Sequence, residues 1–253
     1  MFKKLLSSVG VGAAKVDTKL YKTNFTVGEK LEGVVMIQGG QVEQEIDSIY
    51  LSLLSEYEDE VDDTKIMRTA VIEKFELLQA FTIGVNEQKE VPFSFHIPYS
   101  TPATLGKTNV WIQTGLDIKM AVDPQDRDYI KVKPHPLVEE FLHAVERLGF
   151  KLRKVDCEKA PSNFRNRVPF VQEFEFKPYS GEFVRKLDEL EAVFSVSENQ
   201  VDVLLQVDRR ARGFGGFLAE ALEMDENYVR FSYSGADVSS LPETIASTIR
   251  KFS

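Results

Sequence analysis

Three histidines, one cysteine, several aspartates and a cluster of arginines are the side chains of this 253-residue chain best suited to chemistry. His96, His135 and His143 stand at no metal-ligand spacing from one another or from Cys157, so no metal site is expected. Cys157 lies in the polar run Val155-Asp156-Cys157-Glu158-Lys159 and reads as a structural thiol, since a nucleophilic cysteine needs an electropositive setting. Asp117, Asp123, Asp126 and Asp128 lack the central glycine and terminal glutamate of a helix-flanked calcium loop. They read as turn formers. No phosphate-cradling Gly-Lys-Ser/Thr run occurs, and no serine sits in a Gly-x-Ser-x-Gly elbow. Gly213-Phe214-Gly215-Gly216 has no strand–helix–strand context for a dinucleotide. The chain is therefore expected not to be an enzyme, with no catalytic residue and no cofactor. A hydrolase using an unrecognised carboxylate pair is kept as an alternative, because any acidic β protein offers many such pairs.

Two charged features point to binding. Glu43, Glu45, Asp47, Glu56, Glu58, Asp59, Glu60, Asp62 and Asp63 form an acidic stretch with no Lys or Arg inside it. It reads as a solvated hairpin tip, or as a docking surface for a basic partner. Arg209, Arg210 and Arg212 are the opposite feature. They either hold an anionic partner or pair with Asp123, Asp126 and Asp128 across two domains. The formal net charge of −9 disfavours non-specific nucleic-acid binding. A single cysteine suits a reducing compartment and a cytoplasmic setting.

The elements that must carry these residues are mostly strands. Period-two alternation runs through 15–22, 30–38, 46–57, 65–83, 89–97 and 109–122. It resumes at 150–156, 168–177, 181–196, 201–208 and 228–234. Between the two sets, 123–136 is rich in proline and charge and reads as a linker. A helix follows, with Leu137, Val138, Phe141, Leu142, Val145 and Leu148 on one face, Pro136 in its first turn and Gly149 as its left-handed cap. A short glycine-led helix is expected near 216–224. A last helix is expected after Ser240, with Ser240 and Glu243 as a capping box and Leu241, Ile245, Ile249 and Phe252 as its buried stripe. Phe2, Leu5, Leu6, Val9 and Ala13 share a face of an N-terminal helix. That face docks on the protein or makes a weak peripheral contact with a membrane. No apolar run is long enough for stable membrane insertion.

Tyr21-Lys22-Thr23-Asn24-Phe25-Thr26-Val27-Gly28-Glu29-Lys30-Leu31-Glu32-Gly33 resembles the opening hairpin of arrestin-like domains, and Pro92-Phe93-Ser94-Phe95-His96-Ile97-Pro98 is similar to a later strand of that fold. Gly28 sits where a tight hairpin turn needs positive φ. Trp111-Ile112-Gln113-Thr114-Gly115-Leu116-Asp117-Ile118, with Asp123-Pro124 and Asp126-Arg127-Asp128, resembles the bacterial sporulation-control family. So do Val207-Asp208-Arg209-Arg210-Ala211-Arg212-Gly213, the run Gly216-Phe217-Leu218-Ala219-Glu220-Ala221-Leu222, and Phe2-Lys3-Lys4-Leu5-Leu6. The resemblance implies an all-β protein with two arrestin-like β-sandwich domains in tandem, a hinge helix and short N- and C-terminal helices. The expected layout is 1–13 helix, 14–122 first sandwich, 123–149 hinge and helix, 150–236 second sandwich and 237–253 helix. It implies a non-enzymatic regulator of sporulation, or of a related developmental process, that works through protein–protein contacts. The partners are other proteins, and a homo-oligomer is left open. An arrestin-like adaptor at the membrane surface is the alternative.

Overall fold

Alternating apolar residues build nearly every element. The computed structural model describes residues 13–62, 64–118, 125–160, 167–208 and 228–252. The expected helix at 216–224 lies outside these residues, as does the one expected at 1–13 except for its last residue. Thirteen strands are described: β1 Lys15–Leu20, β2 Asn24–Thr26, β3 Lys30–Gln38, β4 Gln44–Val61, β5 Thr64–Ile83, β6 Gln88–His96, β7 Val110–Ile118, β8 Gln125–Lys133, β9 Phe150–Lys159, β10 Phe170–Pro178, β11 Glu189–Val196, β12 Gln200–Asp208 and β13 Tyr228–Ser234. Two helices accompany them, α1 Pro136–Arg147 and α2 Leu241–Phe252. The protein is mainly β, as expected.

The chain packs as two compact units. The first comprises residues 1–55, 71–98 and 109–132; the second comprises 56–70, 99–108 and 133–253. The long strands β4 and β5 contribute to both.

The first unit holds an antiparallel sheet ordered β1-β3-β6 and a second ladder ordered β4-β7-β8-β2, with β5 paired to β4. Gly28 makes the β2–β3 turn at φ 81°, and the amide of Glu29 closes it on the Thr26 carbonyl at 3.0 Å. Leu31, Val35 and Ile37 of β3 and Ile49, Leu51 and Leu53 of β4 are buried, as their alternation requires.

The second unit is an antiparallel ladder, β9-β10-β11-β12-β13, joined at β9 by the tip of β4 in a parallel pairing of Glu58 with Glu158. Phe150, Phe174, Phe176, Leu190, Val203 and Leu205 line its core. Onto that core α1 sets Val138, Phe141 and Val145, and α2 sets Leu241, Ile245 and Ile249. His135 caps α1, its Nδ1 accepting the Leu137 amide at 3.2 Å, and Pro136 begins the helix. Gly149 follows with φ 91°.

The structure departs from the sequence reading at three places. The expected linker is largely strand: β8 runs from Gln125 to Lys133 against β7. Its charges alternate with period two, and prolines fall only at its two ends, so they do not interrupt pairing. Residues 181–188 are not strand. The Leu187 amide bonds the Phe183 carbonyl at 3.1 Å, a helical-turn contact that buries both side chains. The reciprocal cap forms earlier than expected, where Asp237 accepts from the amide and hydroxyl of Ser234 at 2.9 and 2.8 Å. Ser240 instead donates its hydroxyl to the Asp237 carbonyl, and Glu243 accepts from Arg250.

Candidate functional site

Strand β8 separates two kinds of chemistry, because successive side chains point to opposite faces. Asp126 and Asp128 share one face with the buried Ile130; Arg127 and Tyr129 share the other.

On the first face, Asp126 accepts the Thr18 amide of β1 at 2.7 Å. The hydroxyls of Thr18 and Thr114 meet beside it at 2.5 Å, both buried. β1 is an edge strand, so this carboxylate satisfies a backbone donor that no strand reaches. Asp128 lies beside Asp126. Burial first, then the negative charge of Asp126 and a hydrogen bond with it, push the Asp128 carboxyl up to about 6. Asp17 adds repulsion in the same direction. Asp128 therefore keeps its proton at mildly acidic pH.

A stability prediction follows with a definite sign. An acid whose folded pKa is raised contributes least once it must ionise, so stability falls as pH rises from about 4 to about 6. Asp128→Asn, which cannot ionise, should stabilise the protein at pH 7.5 by roughly 1 kcal/mol. At pH 4 it should be near neutral. Urea midpoints at the two pH values check this; an equal shift at both would sink the raised-carboxyl reading.

The second face is a three-by-three array set by strand register. Tyr50, Gly115 and Gln125 form one row, Ser52, Gln113 and Arg127 the next, and Leu54, Trp111 and Tyr129 the third. A side chain at Gly115 would start 2.5 Å from the Tyr50 ring, so the missing Cβ is what lets that ring lie across β7. The Lys74 ammonium stands 3.7 Å from the centroid of Tyr50, and the Arg127 guanidinium 4.9 Å from that of Trp111. The Gln113 amide donates to Gln125 at 3.2 Å. Trp111 is 1% exposed, and among the described residues its indole nitrogen has no hydrogen-bond partner. Tyr129 is 57% exposed.

The other residues singled out in the sequence are placed as follows. Arg209, Arg210, Arg212 and Asp123 lie outside the described residues. The acidic stretch is partly consumed within the second unit: Lys65 pairs with Glu58 at 2.5 Å, and the buried Asp59 meets Arg68 at 2.5 Å and Lys159 at 2.8 Å. These partners, Lys159 foremost, hold the Asp59 carboxyl below its usual value. His135 is a helix cap, while His96 and His143 are exposed. Cys157 is buried beside the Thr108 hydroxyl, and burial pushes its thiol up to about 12, which makes it inert at neutral pH.

Sequence reasoning did not find a group of buried carboxyls in the second unit. Burial pushes Glu173 up to about 9 and Glu158 up to about 7. Glu173 pairs across the ladder with Val193, which clusters with Val171 and Leu204. A bulge in β9 leaves Arg153 between paired neighbours, and its guanidinium bonds Glu175 and lies 3.6 Å from Glu189. Raised acids are the mark of general-acid chemistry. Here the cause is first burial on a sheet face beside aliphatic side chains, then repulsion among neighbouring carboxylates. Among the described residues, no group of His, Cys, Asp or Glu is arranged to hold a metal ion. Among the same residues, no helix is long and apolar enough to cross a membrane.

The geometry describes a mainly β protein whose distinctive feature is a cation-bearing aromatic sheet face. Residues 2–211 match the family described as SpoOM protein, and the chain belongs to that family. It is 43% identical over 242 residues to the sporulation-control protein spo0M of Bacillus subtilis (strain 168), covering 96% of this chain and 93% of the relative. The crystal structure of Spo0M, sporulation control protein, from Bacillus subtilis superposes with a TM-score of 0.90 at 41% identity. It covers 96% of this chain and all of that one.

Proposed function

We propose that this protein is a regulator of sporulation that works by binding other proteins in the cytoplasm, without catalysing a reaction. The observation that carries the reading is the match to the Bacillus subtilis sporulation-control protein along nearly the full length of both chains. Such coverage retains both compact units, not one shared module. The chemistry of the described residues supports it. The cysteine is inert, the raised carboxyls are packed against aliphatics, and the exposed Lys74, Gln125, Arg127 and Tyr129 offer donors and an aromatic ring to a partner.

Complementation tests the reading. A Bacillus subtilis strain lacking its own sporulation-control relative should regain its normal count and timing of heat-resistant spores when it expresses this chain. Expression of folded protein with no change in either measure would reject the proposal.

A further inference from the structure

Two cations reach the array, Lys74 from β5 and Arg127 from β8, while the exposed Asp117 lies beyond Gly115 at one end of the same face of β7. Among the described residues, neither Lys74 nor Arg127 has a carboxylate partner; each instead stands over an aromatic ring. A guanidinium held flat on an aromatic face keeps its in-plane donors available for a carboxylate. The two cation–ring pairs centre on Gly115, beneath Tyr50, and on Trp111. These positions are four residues apart on β7, about 13 Å at the rise of a strand. Between them lies the Gln113–Gln125 amide pair.

We infer that this sheet face binds an extended acidic segment of a partner protein, with two carboxylates about four residues apart meeting Lys74 and Arg127. The inference rests on the protein-binding reading above and names the chemistry of the partner. Alternate residues of an extended peptide point the same way, so acids at every second position supply the required pair. The amides of Gln113 and Gln125 suit the peptide backbone between them. The observations favour this occupant over two other anionic surfaces. A nucleic acid presents dense negative charge, which a chain of net charge −9 repels. A bilayer needs exposed aliphatic side chains to enter it, and the aliphatic member of the array, Leu54, is buried.

Trp111 is the single tryptophan of the chain, so its emission reports on this face directly. The probe is a ten-residue peptide of alternating Glu and Ser, titrated into the full chain at low salt. A saturable change in emission is expected, lost at high salt and absent with the Gln-for-Glu peptide. Lys74→Gln and Arg127→Gln should each weaken binding about two- to fivefold, which is the range of one exposed charge pair. The double variant should weaken it by about the product of the two single effects. Lys74 is exposed, so Lys74→Gln keeps the test available even if Arg127→Gln alters folding by circular dichroism. Equal affinity in the variants, or no saturable change, overturns the inference. Tighter binding of a single-stranded oligonucleotide, or of vesicles containing phosphatidylglycerol, overturns it equally. Failure here leaves spore complementation untouched, whereas failed complementation with intact peptide binding rejects the sporulation reading alone.

Discussion

Ile249→Asp should remove about 4 kcal/mol or more of stability from the second unit. Ile249 is fully buried on α2, in the cluster that also holds Leu241, Ile245 and the α1 face. An aspartate there has either to ionise among aliphatic side chains or to stay protonated without a hydrogen-bond partner, and both states are costly. The control is Ser247→Asp, two residues away on the exposed face of the same helix. It should stay within about 0.5 kcal/mol of the parent. Urea unfolding followed by circular dichroism compares the two. Matching midpoints for Ile249→Asp and the parent would mean that α2 does not depend on its sheet.

Phe141→Ala should cost about 3–5 kcal/mol, the usual range for deleting a buried phenyl ring. Phe141 is fully buried on α1 and sits at the centre of an aromatic group. Its ring centroid lies 4.9 Å from Phe194, 6.4 Å from Tyr233 and 6.5 Å from Phe176. The Tyr233 hydroxyl in turn donates to the Leu137 carbonyl at 2.7 Å, tying β13 to the first turn of α1. Removing the ring therefore leaves a cavity whose walls are themselves constrained, and collapse recovers little. Scanning calorimetry should show a component that melts early. Phe141→Leu, which refills much of the space, should lose far less. Equal losses for the two variants would remove the cavity account.

Both predictions rest on elements that were legible in advance. The stripe Val138, Phe141 and Val145 and the stripe Leu241, Ile245 and Ile249 repeat at helical spacing, and both proved buried. Local periodicity reports which face an element hides, because the same side-chain geometry sets both. It failed at β8, where proline and charge were given more weight than the alternation Asp126, Asp128, Ile130, Val132. It failed again at 181–188, where Phe183 and Leu187 fit a strand pattern less well than the helical turn they make.

The candidate site divides the same way. Trp111 and Gln113 could be put on one face of their strand from spacing alone. Which residues stand beside them depends on register across strands far apart in sequence: Tyr50 and Arg127 reach the array only through pairings with Gly115 and Gln113. The sequence names Asp126 and Asp128 as turn formers or as partners of Arg209, Arg210 and Arg212, and those arginines lie outside the described residues. Only the fold shows that their face of β8 sets Asp126 on the Thr18 amide and Asp128 beside it. The raised carboxyls of Glu158 and Glu173 are not legible in the sequence because their largest cause is burial in the second unit, ahead of any neighbouring charge. Periodicity, turn residues and the family motifs by themselves determined a mainly β chain, its two central helical stripes and its kinship. Register, burial and the pairing of charges were decided only by the tertiary structure, because each depends on the distance between residues that the sequence keeps apart.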